Sequence, residues 1–167
     1  MKTIYVDMDG VLSDFERGYT KKFGISPHEA SKDRVNKKFS ANWQTFIDDS
    51  EFSKLTTMPN MNKLVDYLLE IQNTYNYNVA ILSSSGGFDN HYKVAQQKMT
   101  WLLKHKILWP AIIVPSKKMK ARFADPMSFL IDDTLYNVES FKEAQGHAVL
   151  HGSVDTTILK LQDWIYD

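Results

Sequence analysis

Two pairs of closely spaced carboxylates carry most of the chemical potential of this chain: Asp7 and Asp9 in Asp7-Met8-Asp9-Gly10, and the doublet Asp132-Asp133. Four such groups gathered at one place repel each other and are costly unless a divalent cation sits among them. An oxygen-only donor set favours a hard ion, with Mg²⁺ the default. Two further stretches suit a phosphate: the hydroxyl and glycine run Ser83-Ser84-Ser85-Gly86-Gly87, and the lysines Lys117, Lys118 and Lys120. Hydroxyls, backbone N–H groups freed by glycine and ammonium groups are the donors a phosphoryl group requires. Carboxylate, magnesium, hydroxyl and lysine together point to phosphoryl transfer, in which an aspartate can act as covalent nucleophile.

These residues sit where short apolar runs stop. The runs are Thr3–Val6, Asn78–Leu82, Ala111–Val114, Phe129–Ile131 and Ala148–Leu150, and they are continuous rather than alternating. That pattern suits strands buried on both faces of a parallel sheet. Helical patterns lie between them: Leu64, Val65, Leu68 and Leu69; Tyr92, Ala95, Met99 and Leu102-Leu103 behind an Asp89 N-cap; and Ile158, Leu161 and Trp164-Ile165. Strand and helix in alternation predict an α/β fold, a doubly wound, Rossmann-like parallel sheet of about five strands. Ligands of such sheets bind beyond the carboxyl ends of the strands, which is where the acidic, hydroxyl and lysine motifs fall. Two positions apart on extended chain, Asp7 and Asp9 would address one ligand.

From Phe15 to Met58 the strand signal disappears, and helix-compatible polar sequence carries scattered aromatics. A small helical cap over residues 16–58 is expected, inserted into a core of 1–15 and 59–167. Between Arg17 and Lys38 seven basic side chains face two acidic ones.

Composition sets the outer bounds. The 167 residues carry no net charge, with 20 basic and 20 acidic side chains. That balance weighs against a general nucleic-acid binder. The absence of cysteine excludes disulfides, thiolate metal sites and cysteine nucleophiles. No stretch approaches the ~18 apolar residues that cross a membrane, and the first apolar run is too short for a signal peptide. A cytoplasmic globular protein is the expectation.

Asp7-Met8-Asp9-Gly10-Val11-Leu12, Ile81-Leu82-Ser83, the lysine ahead of the fourth strand and Leu130-Ile131-Asp132-Asp133 resemble, in order, the four motifs of the haloacid dehalogenase superfamily. More narrowly, Asp7 through Phe15, the Leu-Ile-Asp-Asp motif and the helical insertion resemble the 5'(3')-deoxyribonucleotidases of cytosolic type C and their bacterial and phage relatives. The resemblance implies that Asp7 is the nucleophile and Asp9 the general acid and base. It implies that Ser83, with Ser84 beside it, and Lys120 bind the phosphoryl group. It gives Mg²⁺ to Asp7, to Asp133, to Asp132 directly or in support, and to Asp9 through its backbone carbonyl. An acid at position 9 favours a phosphatase over a dehalogenase.

Plainer readings stand beside these. Asp132-Asp133 suits the start of a helix over 135–144, the serines suit a polar turn, and Lys117 and Lys118 suit solvated loop charges. Phe15, Trp43, Phe46 and Phe52 suit either the packing of the insertion or a platform for a nucleobase, Phe15 best by resemblance. The function expected is hydrolysis of nucleoside monophosphates, small-molecule substrates. Another small phosphate ester, a nucleic-acid 3'-phosphate end, or a non-catalytic binding module with the same fold are the alternatives; oligomeric state is left open.

Overall fold

The computed structural model describes residues 1–33 and 35–166. Arg34, one of the cations of the basic segment, lies outside them. Five strands form one sheet: β1 (Thr3–Val6), β2 (Asn78–Ser84), β3 (Ala111–Val114), β4 (Ser128–Asp132) and β5 (His147–Leu150). All pairings are parallel, in the order β3-β2-β1-β4-β5. The chain winds outward from β1 through β2 to β3, then crosses back to β4 and β5. The order therefore reverses beside β1, and the crevice between the ends of β1 and β4 is the topological switch point of the sheet. Val6 is in register with Ile131, so Asp7 and Asp132 leave the sheet side by side.

Ile4, Val6, Ile81, Leu82, Leu130 and Ile131 are fully buried, which is why their runs are continuous. β2 outlasts its apolar run: Ser83 and Ser84 stay in the ladder, in register with Ile113 and Val114. Ladder bonds, which hydropathy does not report, carry the strand two residues further.

Seven α-helices and two 3-10 helices, Glu51–Lys54 and Lys117–Phe123, complete the described chain. Three of them, α1 (Phe15–Phe23), α2 (Pro27–Lys32) and α3 (Lys38–Asp48), follow β1 and lead into a 3-10 turn at Glu51–Lys54. The others are α4 (Met61–Tyr75), α5 (His91–Lys104), α6 (Leu135–Glu143) and α7 (Val154–Tyr166). Their starts are chemically marked. The Asp14 side chain caps α1, and Ser26 and Glu29 form a reciprocal capping box on α2. Tyr19, Phe46 and Phe52 are buried and share one apolar cluster with the strands.

The face of α5 differs from the expectation. Tyr92, Met99 and Leu103 do share a helical stripe, but it points outward, with exposures of 77%, 42% and 62%. The buried face is Val94, Gln97, Lys98, Trp101 and Leu102. Its polar members have partners that only the fold supplies. Gln97 donates to the Ile47 carbonyl at 2.7 Å, and the Trp101 indole N–H donates to the Leu55 carbonyl at 2.8 Å. Asn90 takes the N-cap position in place of Asp89.

Trp101 is completely buried, and its indole ties α5 to the end of the insertion. Replacing it with Phe leaves the Leu55 carbonyl without its donor, for a cost of about 1–3 kcal/mol. A urea unfolding midpoint unchanged from the parent protein would contradict that role.

Candidate active site

Immediately after β1 the chain turns back on itself. The Met8 carbonyl accepts the N–H groups of Val11, Leu12 and Ser13 at 3.2, 2.8 and 2.9 Å, and Gly10 sits at φ 78°. Asp7 and Asp9 therefore do not alternate along an extended strand, and their carboxylates part company. The carboxylate oxygens of Asp7, Asp132 and Asp133 gather within 4.8 Å of one another. That of Asp9 turns aside to Lys98 Nζ at 2.6 Å and the Ser13 hydroxyl at 3.1 Å. Three of the four expected carboxylates make one group, and the turn at Met8–Ser13 removes the fourth. Gly10 makes room for it. A Cβ there would collide with the Asp133 carboxylate, and the positive φ already excludes most L side chains.

Each acid is held differently. One Asp7 oxygen, Oδ1, accepts from the Met8 N–H at 2.8 Å and from Lys120 Nζ at 2.9 Å. The other has no protein partner among the described residues. Asp132 is fully buried and saturated: Lys120 at 2.7 Å, the Asn137 amide at 3.0 Å to both oxygens, and the Thr134 N–H at 2.9 Å. Asp133 opens to the cavity. It does not cap α6, whose N-cap is Thr134.

Burial raises the Asp132 carboxyl above the usual range, and the Asp7 charge adds to this. Removal from water and the charges of Asp7 and Asp132 push Asp133 up to about 7. Burial alone would lower the Lys120 ammonium, but Asp7 and Asp132 outweigh it and hold it above its ordinary value. These directions describe a cluster with more negative charge than its lysine balances, on oxygen donors alone. Its donors fit a hard divalent cation.

Lys120 is 2% exposed, whereas Lys117 and Lys118 are solvated, so the structure separates the three lysines. Ser83 is buried, with its hydroxyl accepting from Lys98 at 2.8 Å. Ser84 is half-buried, and its hydroxyl accepts the Gly86 N–H at 3.1 Å. All the named acids except Asp132, together with Ser83, Ser84 and Lys120, line one cavity of about 1440 Å³. Phe15 of α1 and Phe39 and Trp43 of α3 line it from the other side. Phe15 stacks on Phe52 at 5.8 Å, while Phe52 and Phe46 are buried and serve packing. Trp43 lies against Gly86, 2.6 Å from where a Cβ would stand, so the insertion bears directly on the serine loop.

Two residues escaped the sequence reading. Lys98 is 1% exposed and bridges Asp9, the Ser83 hydroxyl and the Ser84 carbonyl at 2.6, 2.8 and 2.9 Å. Its one sequence signal is its place on the helical face of Val94 and Trp101, where a cation is out of character. Asn137, one turn beyond Asp133, carries no signal except that spacing.

A parallel sheet with a carboxylate cluster and buried lysine at its switch point defines a phosphatase of the haloacid dehalogenase type. A family model described as "5' nucleotidase, deoxy (Pyrimidine), cytosolic type C protein" matches residues 1–160, and the chain belongs to that family. It is a hydrolase of phosphate monoesters. Among solved structures, a hydrolase from Streptococcus pneumoniae TIGR4 is similar at 16% identity and a TM-score of 0.53, over 97% of this chain and 100% of that one. The HAD-hydrolase YfnB from Bacillus subtilis, bound to magnesium, is similar at 13% identity and 0.51, over 88% and 86%. At these identities they establish the fold. No curated protein matches the chain. No helix among the described residues is long and apolar enough to cross a membrane.

The raised Asp133 and Asp132 carboxyls give the metal-free protein a distinctive pH dependence. Between about pH 4 and 7 the folded state holds protons that the unfolded chain has released, so stability falls as pH rises through that window. Urea midpoints in chelator should decline from pH 5 to pH 8, less steeply in Asp133→Asn, and Mg²⁺ should restore the loss at pH 8. A decline no steeper in the parent protein than in Asp133→Asn would refute the crowded-carboxylate description.

Proposed function

We propose that the protein is a Mg²⁺-dependent nucleotidase that removes phosphate from nucleoside monophosphates, deoxyribonucleotides preferred, through an aspartyl-phosphate on Asp7. The observation that carries this is the asymmetric hold on Asp7: Oδ1 is fixed by Lys120 and Met8, while the other oxygen is left unpaired at the cavity. A nucleophile needs one fixed and one free oxygen. The family and the aromatic wall of Phe15, Phe39 and Trp43 support a nucleotide as substrate.

Asp7 and Asp133 would hold the cation, with Asp132 supporting through Lys120, and the Asp9 backbone carbonyl is the part of that residue left for a metal. When bound, Mg²⁺ would neutralise charge on the phosphoryl group. The free Asp7 oxygen attacks phosphorus, the ester P–O bond breaks, and Asp9 gives its proton to the departing alcohol. Water then attacks the aspartyl-phosphate and yields its proton to Asp9, and the Asp7–phosphorus bond breaks to release phosphate. Lys98 holds the Asp9 side chain beside Ser83, and Ser83, Ser84 and Lys120 receive the phosphoryl oxygens.

Asp7→Asn is nearly isosteric, so it should fold normally and lose turnover across a panel of nucleoside monophosphates. Turnover near that of the parent would rule out Asp7 as nucleophile. Activity on an aryl phosphate with none on any nucleotide would instead remove the nucleotidase reading and leave the phosphatase.

Asp9→Asn should slow nucleotide hydrolysis by roughly 10²–10⁴-fold, the range of acid–base catalysis. Bond breaking should suffer much less with nitrophenyl phosphate, whose leaving group hardly needs a proton, so a burst of nitrophenolate should precede slow turnover. Equal losses in the first step for both substrates would limit Asp9 to positioning.

A further inference from the structure

The three serines at the end of β2 do three different things. Ser83 accepts from Lys98, and Ser84 accepts the Gly86 N–H. Ser85 is 1% exposed, and its N–H extends the ladder to the Val114 carbonyl at 2.9 Å. Its hydroxyl lies 3.0 Å from the Gly87 carbonyl and 2.8 Å from Nδ1 of His91, the first residue of α5.

A count of hydrogens assigns the roles. Two oxygens 3.0 Å apart repel unless a hydrogen lies between them, and the Ser85 hydroxyl holds the only one that this pair has. That hydrogen therefore goes to the Gly87 carbonyl. The Val114 and Pro115 carbonyls, at 3.5 and 3.4 Å, are acceptors as well and offer none. The hydroxyl can then only accept from the imidazole, so Nδ1 of His91 must bring a hydrogen of its own.

What this tie holds is a wall of the cavity. Gly86, Gly87 and Phe88 all line it, and Gly86, at φ 78°, packs against Trp43. A peptide unit is planar, so fixing the Gly87 carbonyl also fixes the Phe88 N–H on the opposite side of the same plane. The Gly87 and Phe88 N–H groups find no acceptor among the described residues, which leaves two backbone donors next to the serines. We propose that His91 is a positioning residue: its Nδ1–H, acting through Ser85, holds the Gly86–Phe88 loop in the form that receives the phosphoryl group. This rests on the reading that Ser83 and Ser84 receive phosphoryl oxygens, and it does not require a nucleotide as substrate.

Asparagine and glutamine separate the two ring nitrogens, because the Asn amide nitrogen can stand where Nδ1 stands and that of Gln reaches the place of Nε2. With nitrophenyl phosphate, His91→Gln should lower kcat/KM by about tenfold, chiefly through KM, while His91→Asn stays within about twofold of the parent. Inhibition by inorganic phosphate should weaken in step. Ser85→Ala should show the same loss, and His91→Gln added to it should bring no further loss. Heteronuclear NMR of the neutral His91 ring in the parent should find the hydrogen on Nδ1. A hydrogen on Nε2 would overturn the proposal. So would equal losses in the Asn and Gln variants, additive losses in the double variant, or an unchanged KM in His91→Gln. Phosphate inhibition unchanged in both Ser83→Ala and Ser84→Ala would instead fail the underlying reading of the serines, and the proposal with it.

Discussion

Buried charge must be paired, and this constraint governs the centre of the molecule. Lys98 and Lys120 are buried to 1–2% exposure, and both point at aspartates of the switch-point crevice. Removing one partner of such a pair strands the other charge in a medium that solvates it poorly, at a cost of roughly 3–5 kcal/mol. Each pair therefore fixes the elements that carry it. Lys120 joins the 3-10 helix Lys117–Phe123, ahead of β4, to the ends of β1 and β4. Lys98 joins α5 to the turn after β1 and to the end of β2. The acids are held by the fold, and the fold is held to the acids.

The excess of carboxylate over lysine leaves the cluster short of positive charge. Lys120 balances Asp132, which is saturated by Asn137 and Thr134 as well, and shares itself with only one oxygen of Asp7. Asp133 is left at the cavity with its carboxyl pushed up to about 7. A site built for stability alone would have neutralised it. Gly10 completes the arrangement, since only a residue without Cβ lets the backbone approach the Asp133 carboxylate.

α5 shows how two demands divide one helix. Its inner face spends polar residues on the site and the insertion, through Gln97, Lys98 and the Trp101 indole, and is none the less the buried face. Its outer face keeps Tyr92, Met99 and Leu103 exposed. Hydropathy ranks the outer stripe as core because it weighs side chains one at a time. Burial here was decided by the partners available, and a lysine with two oxygen acceptors and a carboxylate at 2.6–2.9 Å is better satisfied inside than its composition suggests.

Much of this protein was legible in its sequence. Continuous β-branched runs ending in acids and hydroxyls determined the strands, their parallel pairing and the edge on which the chemistry gathers, because local propensity and burial on both faces leave their mark residue by residue. Asp7 and the Asp132-Asp133 doublet stood out for the same reason, at the ends of such runs, whereas only a family resemblance set Lys120 apart from Lys117 and Lys118. Tertiary structure alone decided the rest. The turn at Met8–Ser13 separated Asp9 from the other acids, packing against the insertion chose the buried face of α5, and three-dimensional pairing brought Lys98 and Asn137 to carboxylates 89 and 5 residues away. Those outcomes depend on which charge meets which across the fold, and a single sequence records the groups without recording their meetings.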